Sequence, residues 1–221
     1  MSYVELFDKD VIAQEFNSNR LLHVLLDEQS FVIIKKKMML AKNEVLFYEN
    51  QVHKYIYFIE SGMLGAYNSK HLVCFIGENG FIGIDSILEN ESSDLTVTAI
   101  TKSVVWRFEK KEVMQKLMFK QEGLFFLYNN IKSLNQSLTH RHALQVADAR
   151  ERVRINLIDL GKTHGSETPH QIILPKIFTK KIIANYLNIT PNTIYFLCKQ
   201  FVNEGILEPD SHQLIINKNK I

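Results

Sequence analysis

Only two cysteines occur in 221 residues, Cys74 and Cys198, far apart and outside any CxxC pair. That is too few for a cysteine-ligated zinc site or iron–sulfur cluster, and it fits the reducing cytoplasm. There is no run of about 18 uncharged apolar residues, so no membrane span is expected. The opening residues, Met1-Ser-Tyr-Val-Glu-Leu-Phe-Asp8, lack the basic-then-apolar order of a secretory signal. A strong charge of either sign is missing too, since the formal net charge is +2. The cations are unevenly placed. From Asp148 onward there are 10 Lys+Arg against 7 Asp+Glu, and before it 16 against 17. The excess in the last third is mild, and it has the sign that phosphate contact requires. Hydrophobic residues, at 46%, suffice for a real core, and the length allows two domains.

What is present changes character along the chain. Residues 2 to about 29 carry apolar faces at helical spacing. From Phe31 the pattern becomes β-rich, in short runs at Phe31–Ile34, Met38–Leu40, Val45–Tyr48, Tyr55–Ile59, Met63–Tyr67, Leu72–Ile76, Thr96–Thr101 and Val104–Phe108. Turn-formers separate them: Lys42-Asn43, Glu49-Asn50-Gln51, Glu60-Ser61-Gly62, Asn68-Ser69 and residues 77–80. Short strands so spaced predict an antiparallel sandwich or barrel, with Gly62, Gly80 and Gly83 at its corners. A short helix is expected over 109–120 and a long one over about 121–147. In the long helix Leu124, Leu127, Ile131, Leu134 and Leu138 recur at alternating steps of three and four. That is the seam of a coiled coil, continued in polar form by Arg141 and Gln145, and it predicts pairing with a second copy. A helix packed only on its own barrel is the other reading. His140 and His142, two apart, cannot share a helix face and are expected in solvent.

Asp148-Ala-Arg-Glu151 has the form of a capping box and predicts a new helix ending at Gly161, with a domain boundary at its start. Residues 162–170 read as loop, and Gln171–Leu174 as a strand. Then comes the most informative stretch, Thr179 to Phe201. Thr179 can cap a helix whose apolar face is Ile182, Ile183, Tyr186 and Leu187. Asn188 can take the left-handed backbone that ends it. Thr190 and Pro191 restart a helix as N-cap and first helical residue. That second helix has two opposed stripes. Ile194, Leu197, Cys198 and Phe201 point to a core. Asn192, Tyr195, Phe196 and Lys199 need another destination, and the N-terminal half of a recognition helix supplies one. An ordinary αα-hairpin is the plainer alternative. Residues 206–207 and 213–216, with Pro209 to His212 between them, would form a wing.

The order β-roll, long dimer helix, winged helix-turn-helix resembles the Crp/Fnr family of bacterial transcription regulators over nearly the whole chain. Gly80-Phe-Ile-Gly83 looks like the family's glycine segment in the roll. Thr179 to Leu207 is similar to its DNA-binding motif, and Asp148 and Arg152 match where the dimer helix gives way to the next. The resemblance implies an α+β fold, with a roll over 1–120, a dimerisation helix over 121–147 and a winged helix-turn-helix over 148–221. It implies a homodimer on double-stranded DNA, RNA polymerase as a further partner, and a roll that either senses a small-molecule effector of unknown identity or simply holds the dimer. The residues expected at DNA are Thr179, Lys180, Thr190, Pro191, Asn192, Thr193, Tyr195, Phe196 and Lys199.

The departures from the family are specific. Cyclic-nucleotide-binding members place an acidic residue for the ribose where this chain has Ile84. They place an Arg-Ser pair for the phosphate about ten residues on, where this chain has Glu91-Ser-Ser-Asp-Leu-Thr96. A cyclic phosphate needs donors or positive charge, so cyclic AMP is not expected to bind. The four-cysteine pattern of iron–sulfur members is also missing, and no cofactor or metal is expected. In the recognition helix the usual Arg-Glu and later Arg positions are Pro191, Asn192 and Phe196, as fits a divergent, virulence-type member. Asn suits adenine and an aromatic edge suits the thymine methyl, so the operator is expected to be A·T-rich. Two other readings remain. One is a regulator-derived interaction module without DNA binding. The other is a cupin-like enzyme, against which stands a roll with only His53 and His71, not in metal-ligand spacing.

Overall fold

The computed structural model describes residues 8–29, 31–84, 88–120, 122–209 and 213–221. The chain forms two compact units, residues 1–70 with 74–139, and residues 71–73 with 140–221. The first begins with α1 (Lys9–Glu15), capped by Asp8, whose carboxylate accepts from Asp10 N and Val11 N. These two N–H bonds hold the Asp8 carboxyl below the usual carboxylate range. The helical run expected over 2–29 is broken in two. Asn17 accepts from Arg20 N at 3.0 Å and starts α2 (Ser18–Leu26), while residues 2–7 lie outside the described residues.

Eight strands follow: β1 (Lys35–Leu40), β2 (Val45–Phe47), β3 (Tyr55–Ser61), β4 (Leu64–Asn68), β5 (His71–Ile76), β6 (Phe81–Ile82), β7 (Thr96–Ala99) and β8 (Ser103–Glu109). They form two four-stranded sheets, β1-β8-β3-β6 and β2-β7-β4-β5. Leu40, Tyr57, Ile59, Leu64, Ala66, Val97 and Val105 fill the space between them. Side chains alternate across a strand, so Ile56, Phe58 and Phe108 leave the opposite face of the first sheet. There they pack with Ile12, Leu21, Leu25, Val113 of α3 (Lys110–Phe119) and Phe126 of α4 (Gly123–Leu144). The turns fall at the polar clusters of the sequence, where Asn43, Asn50, Ser69 and Asn79 take positive φ. Gly62 has φ +93 and a Cβ there would lie 2.7 Å from Lys102 O, so only glycine fits. Gly83 is also left-handed. Gly80 is not; it serves close packing, because a Cβ would meet Ile76 Cγ2 at 2.5 Å.

One expected strand is not there. Phe31–Ile34 precedes β1, and pairing with β8 begins only at Lys35↔Phe108. Beyond that point β8 turns into α3, and Ile34 N donates to Glu112 Oε2 of that helix at 2.6 Å. With no partner strand among the described residues, this apolar run stays irregular.

The expected long helix is α4, and its seam stands largely clear of the chain's own core. Leu127 packs on the cluster around Phe126, while Leu124, Ile131, Leu134 and Leu138 are 72%, 52%, 43% and 50% exposed. The last half of α4 therefore gains little from the chain's own packing, which is what usually sustains a helix in water. His140, expected in open solvent, pairs with Asp159 Oδ2 at 2.9 Å while staying exposed.

In the second unit Asp148 caps α5 (Ala149–His164) by accepting from Glu151 N at 2.7 Å. The reciprocal half of the capping box is not made, because Glu151 is held by Arg154 at 2.6 Å. Arg152 buries its Nε without a hydrogen-bond partner among the described residues. Gly161 does not stop the helix, which runs one further turn to His164. Gly161 is instead buried against β10 (Gln171–Ile173), where a Cβ would come within 2.4 Å of Ile172 Cγ2. The expected loop 162–170 thus holds the last turn of α5 and β9 (Ser166–Glu167), which pairs with β10. With β11 (Ile215–Asn217) these form a three-stranded sheet ordered β11-β10-β9.

Candidate nucleic-acid interface

The candidate face is built from α6 (Lys180–Leu187), a short turn and α7 (Pro191–Asn203). Thr179 starts α6, its hydroxyl accepting from Ile182 N at 3.2 Å. Asn188 ends it with φ 51 and ψ 48, the left-handed conformation that Asn tolerates better than most residues. Thr190 then caps α7, accepting from Thr193 N at 3.2 Å, with Pro191 in the first turn. Thr190 and Thr193 also share a 2.8 Å hydroxyl contact. Of the nine residues expected at DNA, Thr179 and Thr190 therefore use their hydroxyls to hold the backbone, and the Thr193 hydroxyl is engaged with that of Thr190.

The others stand on the open side. Ile194, Leu197, Cys198 and Phe201 are all buried, so the opposite face of α7 points out. Burial pushes the Cys198 thiol up, so it packs as a neutral group. Pro191, Asn192 and Lys199 are exposed, and Tyr195 and Phe196 are 55% and 62% exposed. Two aromatic rings side by side in solvent on one helix face are unusual enough to ask for a partner. Lys180 places its ammonium 5.0 Å from the Tyr195 ring centroid, a cation–π contact that fixes both.

The wing is formed by residues 206–208 against β11. Glu208 N donates to Ile215 O at 3.0 Å, and Asn217 N to Ile206 O at 2.9 Å. Residues 210–212, which the sequence placed in its turn, lie outside the described residues. Wing and helix enclose a groove of about 700 Å³ in which Tyr195, Phe196 and Lys199 face Glu208, Pro209 and Gln213. The sequence indicated a hairpin but not which of its residues meet α7, because so short a strand carries no readable alternation. Part of the C-terminal positive charge is used internally. Arg150 pairs with Glu204 at 2.5 Å and Lys218 with Glu167 at 2.6 Å. Lys176, Lys181 and Lys199 are exposed and make no ion pair among the described residues.

In the roll, Ile84 is buried in the cluster with Phe58, Phe108 and Phe126. The position where cyclic-nucleotide-binding relatives are expected to carry a carboxylate is here part of the apolar core. His53 stacks on Phe47 with centroids 4.1 Å apart and brings Nδ1 to 3.0 Å of Tyr55 O.

The family model described as cyclic nucleotide-binding domain matches residues 37–119. No curated protein sequence matches the chain. Among solved structures, FixK2 from Bradyrhizobium japonicum is similar at TM-score 0.72 and 18% identity, over 85% of this chain and 94% of its own. A cyclic nucleotide-binding domain containing protein from Listeria monocytogenes is similar at TM-score 0.71 and 20% identity, over 92% and 98%. A transcriptional regulator of the CRP family from Thermus thermophilus is similar at TM-score 0.61 and 15% identity, over 80% and 90%. Residues 37–119 thus match the cyclic nucleotide-binding domain family, and the chain as a whole shares the fold of these three solved structures.

Proposed function

We infer that this chain is a transcription regulator, not an enzyme, that acts in the cytoplasm as a homodimer on a two-fold symmetric, A·T-rich operator. The observation that carries the reading is the exposed stripe Asn192, Tyr195, Phe196 and Lys199 on a helix whose other face is fully buried. Asn192, in the first turn, suits adenine, and Phe196 suits the thymine methyl. Lys199 and its exposed neighbours Lys176 and Lys181 suit phosphates. Residues 148–221 are the DNA-binding domain of this reading. The exposed α4 seam supplies the pairing element, since a two-fold partner would cover Leu124, Ile131, Leu134 and Leu138 together. Two copies then present two recognition helices to successive major grooves. Residues 1–120 form the sensor-like domain, whose effector is not a cyclic nucleotide because Ile84 offers no acceptor to a ribose. RNA polymerase is a further partner of the same reading. Among the described residues no helix is long and apolar enough to cross a membrane.

Selection of binding sites from random duplexes tests this directly. An inverted repeat rich in A·T, with half-sites about one helical turn apart, is expected. Failure to enrich any sequence would favour the interaction module without DNA binding. Saturable micromolar binding of cyclic AMP in a calorimeter would overturn the statement about the roll.

A further inference from the structure

The inner face of the first sheet carries a row that an apolar core does not need. Lys36 on β1 is the direct cross-strand partner of Arg107 on β8, and Arg107 is in turn partnered with Tyr57 on β3. Side-chain alternation puts Lys36 with Met38 and Leu40, and Arg107 with Val105, on the face that lines the interior of the roll. Two cations directly opposite one another on adjacent strands repel, and such pairs destabilise a sheet. Neither is neutralised, since neither Lys36 nor Arg107 makes an ion pair among the described residues. Glu109 lies two residues along the same face of β8 and pairs with neither of them.

Arg107 is half-buried, with its guanidinium carbon 4.2 Å from the Tyr55 ring centroid. Tyr57 is 5% exposed and meets Tyr55 edge-on at 6.2 Å and Phe47 at 6.1 Å. The wall beside the two cations is therefore aromatic. Burial pushes the Tyr57 phenol up to about 12, which leaves it a neutral donor at physiological pH. Its hydroxyl makes no hydrogen bond among the described residues.

A planar guanidinium fixed on a ring, an ammonium across the strand and an unengaged phenol form a donor set for an anion, with the arginine placed for two-pronged recognition. We propose that Lys36, Arg107 and Tyr57 bind a small organic anion, bearing a carboxylate or a phosphate, at the end of the roll where β1, β8 and β3 meet. The site lies on β8 and its neighbours, not in the segment after Gly83, and it does not rest on the DNA-binding reading. The anion would offset the repulsion between Lys36 and Arg107, so its binding should stabilise the roll.

The test is calorimetric titration of the purified chain with inorganic phosphate and, separately, with succinate, at an ionic strength held constant with sodium chloride. Saturation at one site per chain by either probe is expected, and the stronger of the two identifies the head group. Arg107→Leu and Lys36→Gln should each weaken that binding about tenfold or more, the usual scale for a charge-assisted bond. Lys111→Gln, an exposed lysine on α3, should leave it unchanged. Lys36 is exposed on an edge strand, so Lys36→Gln alone decides the matter if Arg107→Leu does not fold. No saturable binding of either probe, or equal binding by Lys36→Gln and the parent chain, would overturn the proposal.

Discussion

The ammonium of Lys180, at the start of α6, lies 5.0 Å from the ring centroid of Tyr195, one turn into α7. The contact spans the turn of the helix-turn-helix and orients a ring that would otherwise swing freely in water. Lys180 is thereby engaged by a neighbour, whereas Lys199 remains available to phosphate. An exposed cation–π contact is worth about 0.5–1 kcal/mol. Lys180→Met should lower the unfolding free energy by about that amount, read from the urea midpoint. Equal midpoints would mean that the ring and the ammonium do not hold one another.

The turn beside that contact depends on Asn188, whose left-handed backbone lets α6 stop and α7 begin at Thr190. That conformation costs a β-branched residue about 1–2 kcal/mol, and glycine has no Cβ to strain. Asn188→Val should therefore destabilise the chain by about that much, and Asn188→Gly by far less. Equal losses for the two variants, measured by denaturant unfolding, would remove the backbone explanation.

His164 closes α5 and stacks on Phe178 with centroids 5.7 Å apart. Burial pushes its pKa below the ordinary value near 6.5, because the charged ring is penalised away from water. The unfolded chain then binds the proton more readily than the folded one. The stability held by neutral His164 is complete above the unfolded value and is lost as pH falls below it towards the folded value. Urea midpoints should fall as the pH is lowered through that ordinary value, and fall less in His164→Phe. An identical pH profile in the variant would contradict the assignment.

The features that sequence made legible are those decided within a few residues. The caps at Thr179 and Thr190, the reversal at Asn188 and the two stripes of α7 all follow from local chemistry, and all are in place. What stayed hidden depends on a distant partner. Phe31–Ile34 looks like a strand until the pairing of β1 with β8 is seen to begin only at Lys35. Gly161 looks like a helix stop until Ile172 is found against it. Lys116 of α3 is buried and donates to the carbonyls of Leu25 and Asp27, capping the C-terminal end of α2, a role that only the fold reveals. The cross-strand pair of Lys36 and Arg107 is invisible before the register is known.

The α4 seam makes its own prediction. An Asp at position 134 would place a carboxylate against its symmetry mate in the proposed dimer, where it is desolvated and unpaired. Leu134→Asp should sediment as a monomer. Since Leu134 is 43% exposed in the chain alone, folding of the monomer should be little affected, and circular dichroism checks this. A variant that still sediments as a dimer would place the interface elsewhere.

The central claim, that the exposed stripe of α7 reads DNA, is tested most directly by comparing Asn192→Ala and Lys199→Ala on one operator and its single-base variants across a salt series. Asn192→Ala should lose roughly 1–3 kcal/mol of discrimination at one base pair in each half-site, with the salt slope kept. Lys199→Ala should weaken every sequence alike and reduce the salt slope by about one unit per protomer. An unchanged base preference in Asn192→Ala, together with an unchanged salt slope in Lys199→Ala, would contradict the claim.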